Sequence, residues 1–189
     1  MALQKKETWK MKKWFAIYAP SIFKSALIGE MPANEEEAAV GRNIVVSLDA
    51  LTHNPSHAYT NVKLKITGVS GSTANTKLVA MEQLYSYIRS LVRKYRSVAT
   101  MVRKVQTKDN VSMVVKLLVI TRSRATTSKI EGLRKEAEEL TKSYFVENDS
   151  DSIINSILEG KFQSELAAKL SHIIPLNKVE VRKLEIGQA

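Results

Sequence analysis

Cysteine is absent from this 189-residue chain, which excludes disulfides, zinc ribbons and thiol nucleophiles. A fold built without disulfides suits a reducing cytoplasm. Histidine is scarce, and His53, His57 and His172 fall in no HExxH or other paired-ligand spacing. His53 and His57 lie four apart, but Pro55 between them argues against a helix that would align them on a metal. Gly68 and Gly71 bracket a turn without the GK[ST] ending or GxGxxG spacing that wraps backbone amides around a phosphate. The acidic run Glu35, Glu36 and Glu37 reads as a solvated face rather than an acid–base set. No segment approaches the roughly 20 apolar residues of a spanning helix. Lys5, Lys6, Lys10, Lys12 and Lys13 precede the apolar run 14–23 and loosely imitate a secretory leader. Pro20, the aromatics and the missing small-residue cleavage site argue against one. The expectation is a soluble protein with no cofactor, no metal, no membrane partner and no small-molecule substrate.

Acid is the scarcest thing of all between residues 85 and 129. Asp109 stands alone there against Arg89, Arg93, Lys94, Arg96, Arg103, Lys104, Lys108, Lys116, Arg122, Arg124 and Lys129. The chain carries 29 basic and 19 acidic residues, for a net charge of +10. The rest of the chain is balanced, so the whole excess resides in this stretch. A folded segment that concentrates an entire net charge is built to meet a polyanion. A hydrophobic content of 44% supplies a real core and separates the chain from disordered basic tails.

Periodicity organises the remainder. Residues 27–29 suggest a short strand, and Asn34 offers an N-cap to the acidic turn 35–40, which Gly41 ends. Ile44, Val46 and Leu48 alternate in a strand over 43–48, and 53–59 reads as a loop. Val62, Leu64 and Ile66 alternate with Lys63, Lys65 and Thr67 in a strand over 62–69, with a partner over 75–81. Leu84, Ile88, Leu91, Val92 and Tyr95 fall at helical spacing, so a helix is expected over 83–95. Arg89, Arg93 and Arg96 would form a guanidinium ladder nearly opposite its buried stripe. Strands over 98–106 and 111–121 form a hairpin around Lys108, Asp109 and Asn110. Val111, Met113, Val115, Leu117 and Val119 make its core face; the other face is expected to be partly wet. Ser128 and Glu131 make a capping box for a helix to about Phe145, its stripe being Ile130, Leu133, Ala137, Leu140 and Tyr144. Asp149 or Ser150 caps a second helix that Gly160 closes, 161–172 is a third, and 178–186 a final strand. Strands, a helix, more strands and then helices indicate α+β with an antiparallel sheet or barrel.

Charge runs usually cover solvated surface. Here the charge spans a helix, a hairpin and a loop that could converge on one face, and arginine dominates it. The planar guanidinium pairs with phosphate in bidentate fashion and stacks on bases. A membrane-surface helix would need exposed apolar bulk beside the charge, and the stripe over 83–95 is expected to serve the core. Nucleic acid is therefore the favoured partner. Trp14 is expected to pin the N-terminal arm to the core, with stacking on unpaired bases as the alternative, and Trp9 is open between the two.

Four ordered segments carry a family resemblance. Lys12-Lys13-Trp14-Phe15-Ala16-Ile17-Tyr18-Ala19-Pro20 resembles a KKW-x-x-IYAP opening, and Tyr87-Ile88-Arg89-Ser90-Leu91-Val92-Arg93 matches a central YIRSLVR. Ile120-Thr121 with Arg124-Ala125 and Thr127-Ser128 is similar to IT-x-x-RA-x-TS. Ile174-Pro175-Leu176 with Val179-Glu180-Val181-Arg182-Lys183 is similar to YPL-x-x-VEIRK. Together they resemble, over essentially the whole chain, the archaeal and eukaryotic small-subunit ribosomal protein family designated S-three-A-e, also e-S-one. The length is of the archaeal type. Two positions depart from the pattern: Tyr95 interrupts the basic residues after Lys94, and Asn110 replaces the glycine of a TKDG turn.

The resemblance implies a structural, non-enzymatic component of the small ribosomal subunit in the cytoplasm, on the platform near the mRNA exit. It implies a β-barrel-like core, a central basic helix and C-terminal helices. Its partners would be small-subunit rRNA, especially the 3′ region, and neighbouring platform proteins, with mRNA left open. The expected division is a basic aromatic arm over 1–24, a β-rich core with the basic helix over 25–125, and a helical part over 126–189 returning in a strand. The candidate RNA-binding residues are Lys12, Lys13, Trp14, Arg89, Arg93, Lys94, Arg96, Arg103, Lys104, Lys108, Arg122, Arg124 and Lys129. Two alternatives compete: a free RNA-binding or RNA-modification factor, and a non-ribosomal module whose basic face meets acidic partners or lipid.

Overall fold

A computed structural model describes Trp9 and residues 12–187. Lys5, Lys6 and Lys10 of the basic arm lie outside the described residues. Among the described residues the fold is mixed α+β, with five α-helices and an eight-stranded sheet. Two compact units divide the chain.

The first unit comprises the described chain through Ala58 together with Val62–Leu78. Its strands are β1 (Lys13–Tyr18), β2 (Leu27–Ala33), β3 (Asn43–Ser47), most of β4 (Thr60–Ser70) and the start of β5 (Thr73–Gln83). Period-two alternation sends Phe15 and Ile17 of β1 and Val62, Leu64 and Ile66 of β4 inward, each no more than 4% exposed. Lys13 and Trp14 remain outside. The opening strand after Pro20 is longer than 27–29 and pairs antiparallel with β1, from Lys13↔Ala33 to Tyr18↔Leu27. Gly71, with φ of 62°, makes the tight turn between β4 and β5. Leu48 does not extend β3. It opens the short helix α1 (Leu48–Thr52), which buries Leu48 and Leu51.

The second unit holds Tyr59–Asn61 and the chain from Val79 onward. The end of β5 leads through α2 (Tyr85–Leu91) to β6 (Val98–Gln106) and β7 (Ser112–Thr121). Then come α3 (Thr127–Glu147), α4 (Ser150–Leu158), α5 (Lys161–Leu170) and β8 (Leu176–Ile186). The strand order is β2-β1-β5-β8-β7-β6, with β4 beside β5 and β3 beside β4. Pairs β5–β8, β7–β8 and β6–β7 are antiparallel, and β1–β5 is parallel. This path does not close on itself, so the expected barrel-like closure is not established by the hydrogen bonding.

Met113, Val115, Leu117 and Val119 are fully buried, as the alternation of β7 requires. Its other face is drier than expected, because Ile88 of α2 packs on Leu118 and Ile120, with Leu91 and Val98 beside them. Helix α3 buries Leu133, Ala137, Thr141 and Phe145 at intervals of four. The stripe expected through Leu140 and Tyr144 is thus rotated: both are only half-buried. The Ser128–Glu131 capping box does not form, because Thr126 occupies the N-cap and its side chain makes no cap bond.

Helix α4 is capped from a distance. Asp109, the lone acid of the basic stretch, accepts from the Ser150 backbone N–H at 2.9 Å and from its hydroxyl at 3.2 Å. That backbone hydrogen bond holds the Asp109 carboxyl below the usual carboxylate range. A depressed carboxyl favours the fold above the ordinary carboxylate pKa and loses its effect as pH falls through the depressed value. Acidification below about pH 4 is expected to release the Ser150 amide to fast hydrogen exchange before the core. Asp109→Ala is expected to expose it already at neutral pH. An unchanged Ser150 exchange rate in that variant would contradict the cap.

Candidate nucleic-acid interface

The β6–β7 hairpin runs without a bulge from Val98↔Ile120 to Gln106↔Ser112. At about 3.4 Å per residue, its two ends stand roughly 30 Å apart. The basic residues of 85–129 therefore do not converge on one spot; they divide between the open end and the turn.

At the open end a side-chain clasp fixes the loop after β7. Thr121 is completely buried. Its hydroxyl accepts from the Ser97 N–H at 2.9 Å and lies 2.6 Å from the Ser123 carbonyl, to which it donates. The Ser97 hydroxyl accepts from the Ala125 N–H at 3.0 Å, and the Arg122 N–H donates to the Pro175 carbonyl at 3.0 Å. Two of the family-like segments thus meet here, the one over 120–128 and the one that begins at Ile174. Arg96, Arg122 and Arg124 flank the clasp residues, and their side chains are left to solvent or half-exposed. Lys129 is exposed on the first turn of α3.

Thr121→Val keeps the shape and removes the hydroxyl, leaving the Ser97 N–H and Ser123 carbonyl without their partner. A loss of about 1–3 kcal/mol in unfolding free energy is expected. A denaturation midpoint unchanged from the parent would show that the clasp is not stabilising.

Helix α2 is shorter than the expected 83–95. It ends at Leu91, with Val92 extended at ψ 107°, and Tyr95 sits in the left-handed region at φ 68°. Only Ile88 of the expected stripe is buried, while Val92 and Tyr95 are exposed. Cations at i and i+4 with no acid between them disfavour continuing the helix. The ladder of Arg89, Arg93 and Arg96 therefore does not form. Arg89 stays on the helix, its guanidinium 4.6 Å from the Tyr85 ring centre, and Lys94 lies 5.2 Å from that of Tyr95. Arg93 donates from Nε to the Ser90 carbonyl. Tyr85 and Tyr95 escaped the sequence reading as surface groups. The Tyr85–Arg89 spacing of four was the signal available for one; the irregular backbone at Tyr95 left none for the other.

The turn end is differently employed. Arg103 pairs with Glu138 at 3.2 Å, Lys108 with Asp149 at 3.9 Å, and Lys116 with Glu185 at 3.7 Å. Among the described residues, Arg89, Arg93, Lys94, Arg96, Lys104, Arg122, Arg124 and Lys129 make no ion pair.

In the first unit, Trp14 is 56% exposed, which corrects its expected burial. It occupies the face of β1 opposite Phe15 and Ile17. Its ring meets Trp9 edge-on at 6.2 Å, and Lys12 Nζ lies 4.6 Å from the Trp9 ring centre. Lys13 is exposed beside it.

A further network was missed by sequence reasoning. Glu180, 8% exposed, accepts from the Tyr87 hydroxyl at 3.0 Å and the Gln83 amide at 2.6 Å, and pairs with Lys178 at 2.7 Å. Tyr87 also stacks on Tyr59, centres 4.8 Å apart. Burial pushes the Tyr87 hydroxyl above its ordinary range. Burial opposes the Lys178 charge, but the bonds to Glu180 and Tyr87 outweigh it and hold that ammonium above its ordinary range. The network joins the YIRSLVR-like segment to the VEIRK-like one and seats the base of α2 against β8.

Fold and surface together define a class: a basic α+β protein in which several exposed arginines have no carboxylate partner among the described residues. The chain belongs to the Ribosomal S3Ae family, whose description matches residues 2–189. It is 36% identical to the small ribosomal subunit protein eS1 of Pyrobaculum aerophilum, over 98% of this chain and 84% of that one. The protein of the same name from Sulfolobus acidocaldarius is 36% identical, over 97% and 94%. The one from Methanococcus vannielii is 34% identical, over 97% and 85%. As a member of this family the chain is a ribosomal protein of the cytoplasm and not an enzyme.

Proposed function

We propose that the chain is a structural component of the small ribosomal subunit that holds rRNA through the open end of the β6–β7 hairpin. The observation that carries this reading is the Ser97–Thr121 clasp. It presents Arg96, Arg122 and Arg124 around one anchored loop, without ion pairs among the described residues. Arg89, Arg93, Lys94 and Lys129, exposed and without ion pairs among the described residues, add further cationic contacts in this reading, and Tyr85 and Tyr95 add stacking surfaces for unpaired bases. Arg103, Lys104 and Lys108 lie toward the other end of the hairpin and are secondary contacts in this reading. Lys12, Lys13 and Trp14 of the arm over 1–24 are a second RNA contact in this reading, beside the core over 25–125 and the helical part over 126–189. The family resemblance supports a place on the platform near the mRNA exit, with the 3′ region of the rRNA, platform proteins and mRNA as neighbours.

Phosphate contacts of this kind fix position rather than read sequence, so binding should weaken steeply with salt. Sedimentation of a lysate at moderate salt is expected to place the chain with small subunits. Recovery only in the free pool would overturn the ribosomal reading and favour a free RNA-binding factor.

A further inference from the structure

Strand β6 ends the sheet, and its outer edge is paired with no strand among the described residues. The ladder to β7 fixes which groups face out. The Thr121 N–H donates to the Ser97 carbonyl, and the Thr107 N–H to the Val111 carbonyl. In an antiparallel pair the residues that exchange these bonds alternate. Ala99, Met101, Arg103 and Val105 therefore turn their amides toward β7. Thr100, Val102, Lys104 and Gln106 turn theirs outward.

That edge carries the charges of Arg103 and Lys104 and has α3 beside it, but it lacks the stronger blunting devices. The stretch has no proline, and its register with β7 is unbroken. It borders a groove of about 550 Å³ whose opposite wall is Lys142 and Val146 of α3. Val102 and Val146 are 59% and 52% exposed, large for valines in a packed fold. Lys104 makes no ion pair among the described residues, nor does Lys142, while Arg103 is held by Glu138.

We infer that this groove receives an extended acidic segment of another protein, added to β6 as a further strand. The outward edge offers carbonyls and N–H groups in equal number. A peptide satisfies both, whereas an RNA backbone, which brings mainly phosphate acceptors, would face the carbonyls of Val102, Lys104 and Gln106 with like charge. Period-two alternation suits the partner: apolar side chains against Val102 and Val146, carboxylates toward Lys104 and Lys142. The site does not use the arginine end of the hairpin, and Lys104, only a secondary RNA contact in the proposed function, is the one residue to which both readings give a contact, so either can fail without the other.

The probe is a capped heptapeptide of alternating glutamate and valine, titrated into the full-length protein and followed by amide hydrogen exchange. The amides of Val102, Lys104 and Gln106 are expected to slow at least tenfold at saturation. The same peptide N-methylated at alternate amides should give no protection. Val102→Pro removes one outward N–H without touching a bond to β7 and should weaken binding at least tenfold. Lys104→Glu with Lys142→Glu should do the same by repulsion, leaving the backbone edge intact. No protection at millimolar peptide, equal protection by the N-methylated peptide, or equal protection by a single-stranded heptaribonucleotide would each overturn the inference.

Discussion

Replacing Arg96, Arg122 and Arg124 together by alanine is expected to weaken rRNA binding about 100-fold at moderate salt, with little change in stability. Each guanidinium meeting a phosphate makes a charge-assisted, bidentate bond and releases condensed counterions. An exposed contact of this kind is worth close to one order of magnitude or somewhat less in affinity, so losing three accounts for the expected drop. The slope of log affinity against log salt should shrink by about 2–3, the count of phosphate contacts removed. None of the three side chains has a carboxylate partner among the described residues, so the folded state loses nothing specific. Surface changes of this kind usually move stability by no more than about 0.5 kcal/mol. Filter binding across a salt series, with circular dichroism melting alongside, separates the outcomes. An unchanged salt slope would mean that these arginines do not touch phosphate.

Glu180→Ala is expected to produce the opposite pattern, destabilising the fold by about 2–3 kcal/mol. The substitution leaves the Tyr87 hydroxyl and the Gln83 amide without an acceptor at a largely buried site. Lys178 adds less than a fully buried partner would, because its side chain is 45% exposed and partly screened. The network also sets an alkaline limit. Tyr87 and Lys178 are both held above their ordinary ranges, so their contribution is complete below their unfolded pKa values and lost as pH rises through the folded ones. The parent should therefore lose stability above about pH 10 more steeply than the alanine variant. Identical alkaline profiles would contradict the coupling. Because the network seats α2 on β8, the variant should also bind rRNA less well through a loosened Arg89, without the change in salt slope that the triple arginine variant shows.

The strands were legible wherever one face is wet and the other dry. Lys63 and Lys65 against Leu64 and Ile66 mark β4, and the uninterrupted run from Met113 to Val119 marks the hairpin. Trp14 was misjudged by a different argument: aromatic character suggested burial, but its place in the alternation of β1 puts it outside. Helix α2 shows where pattern fails. Leu84, Ile88, Leu91, Val92 and Tyr95 fit a stripe, yet spacing carries no information about the extended Val92 and the left-handed Tyr95, at which the helix gives way to irregular backbone. The features that position the candidate site are long-range: Thr121 with Ser97, Asp109 with Ser150, Glu180 with Tyr87. Each pairs residues more than 20 positions apart. Composition located the charge in 85–129, but only the fold separated the arginine end from the engaged cations near the turn.

Ultraviolet cross-linking of intact small subunits, followed by mapping of the cross-linked peptides, tests the central claim most directly. The expected cross-links fall in the peptides carrying residues 85–96 and 121–129. Cross-links that avoid both, while appearing elsewhere on this chain, would contradict it.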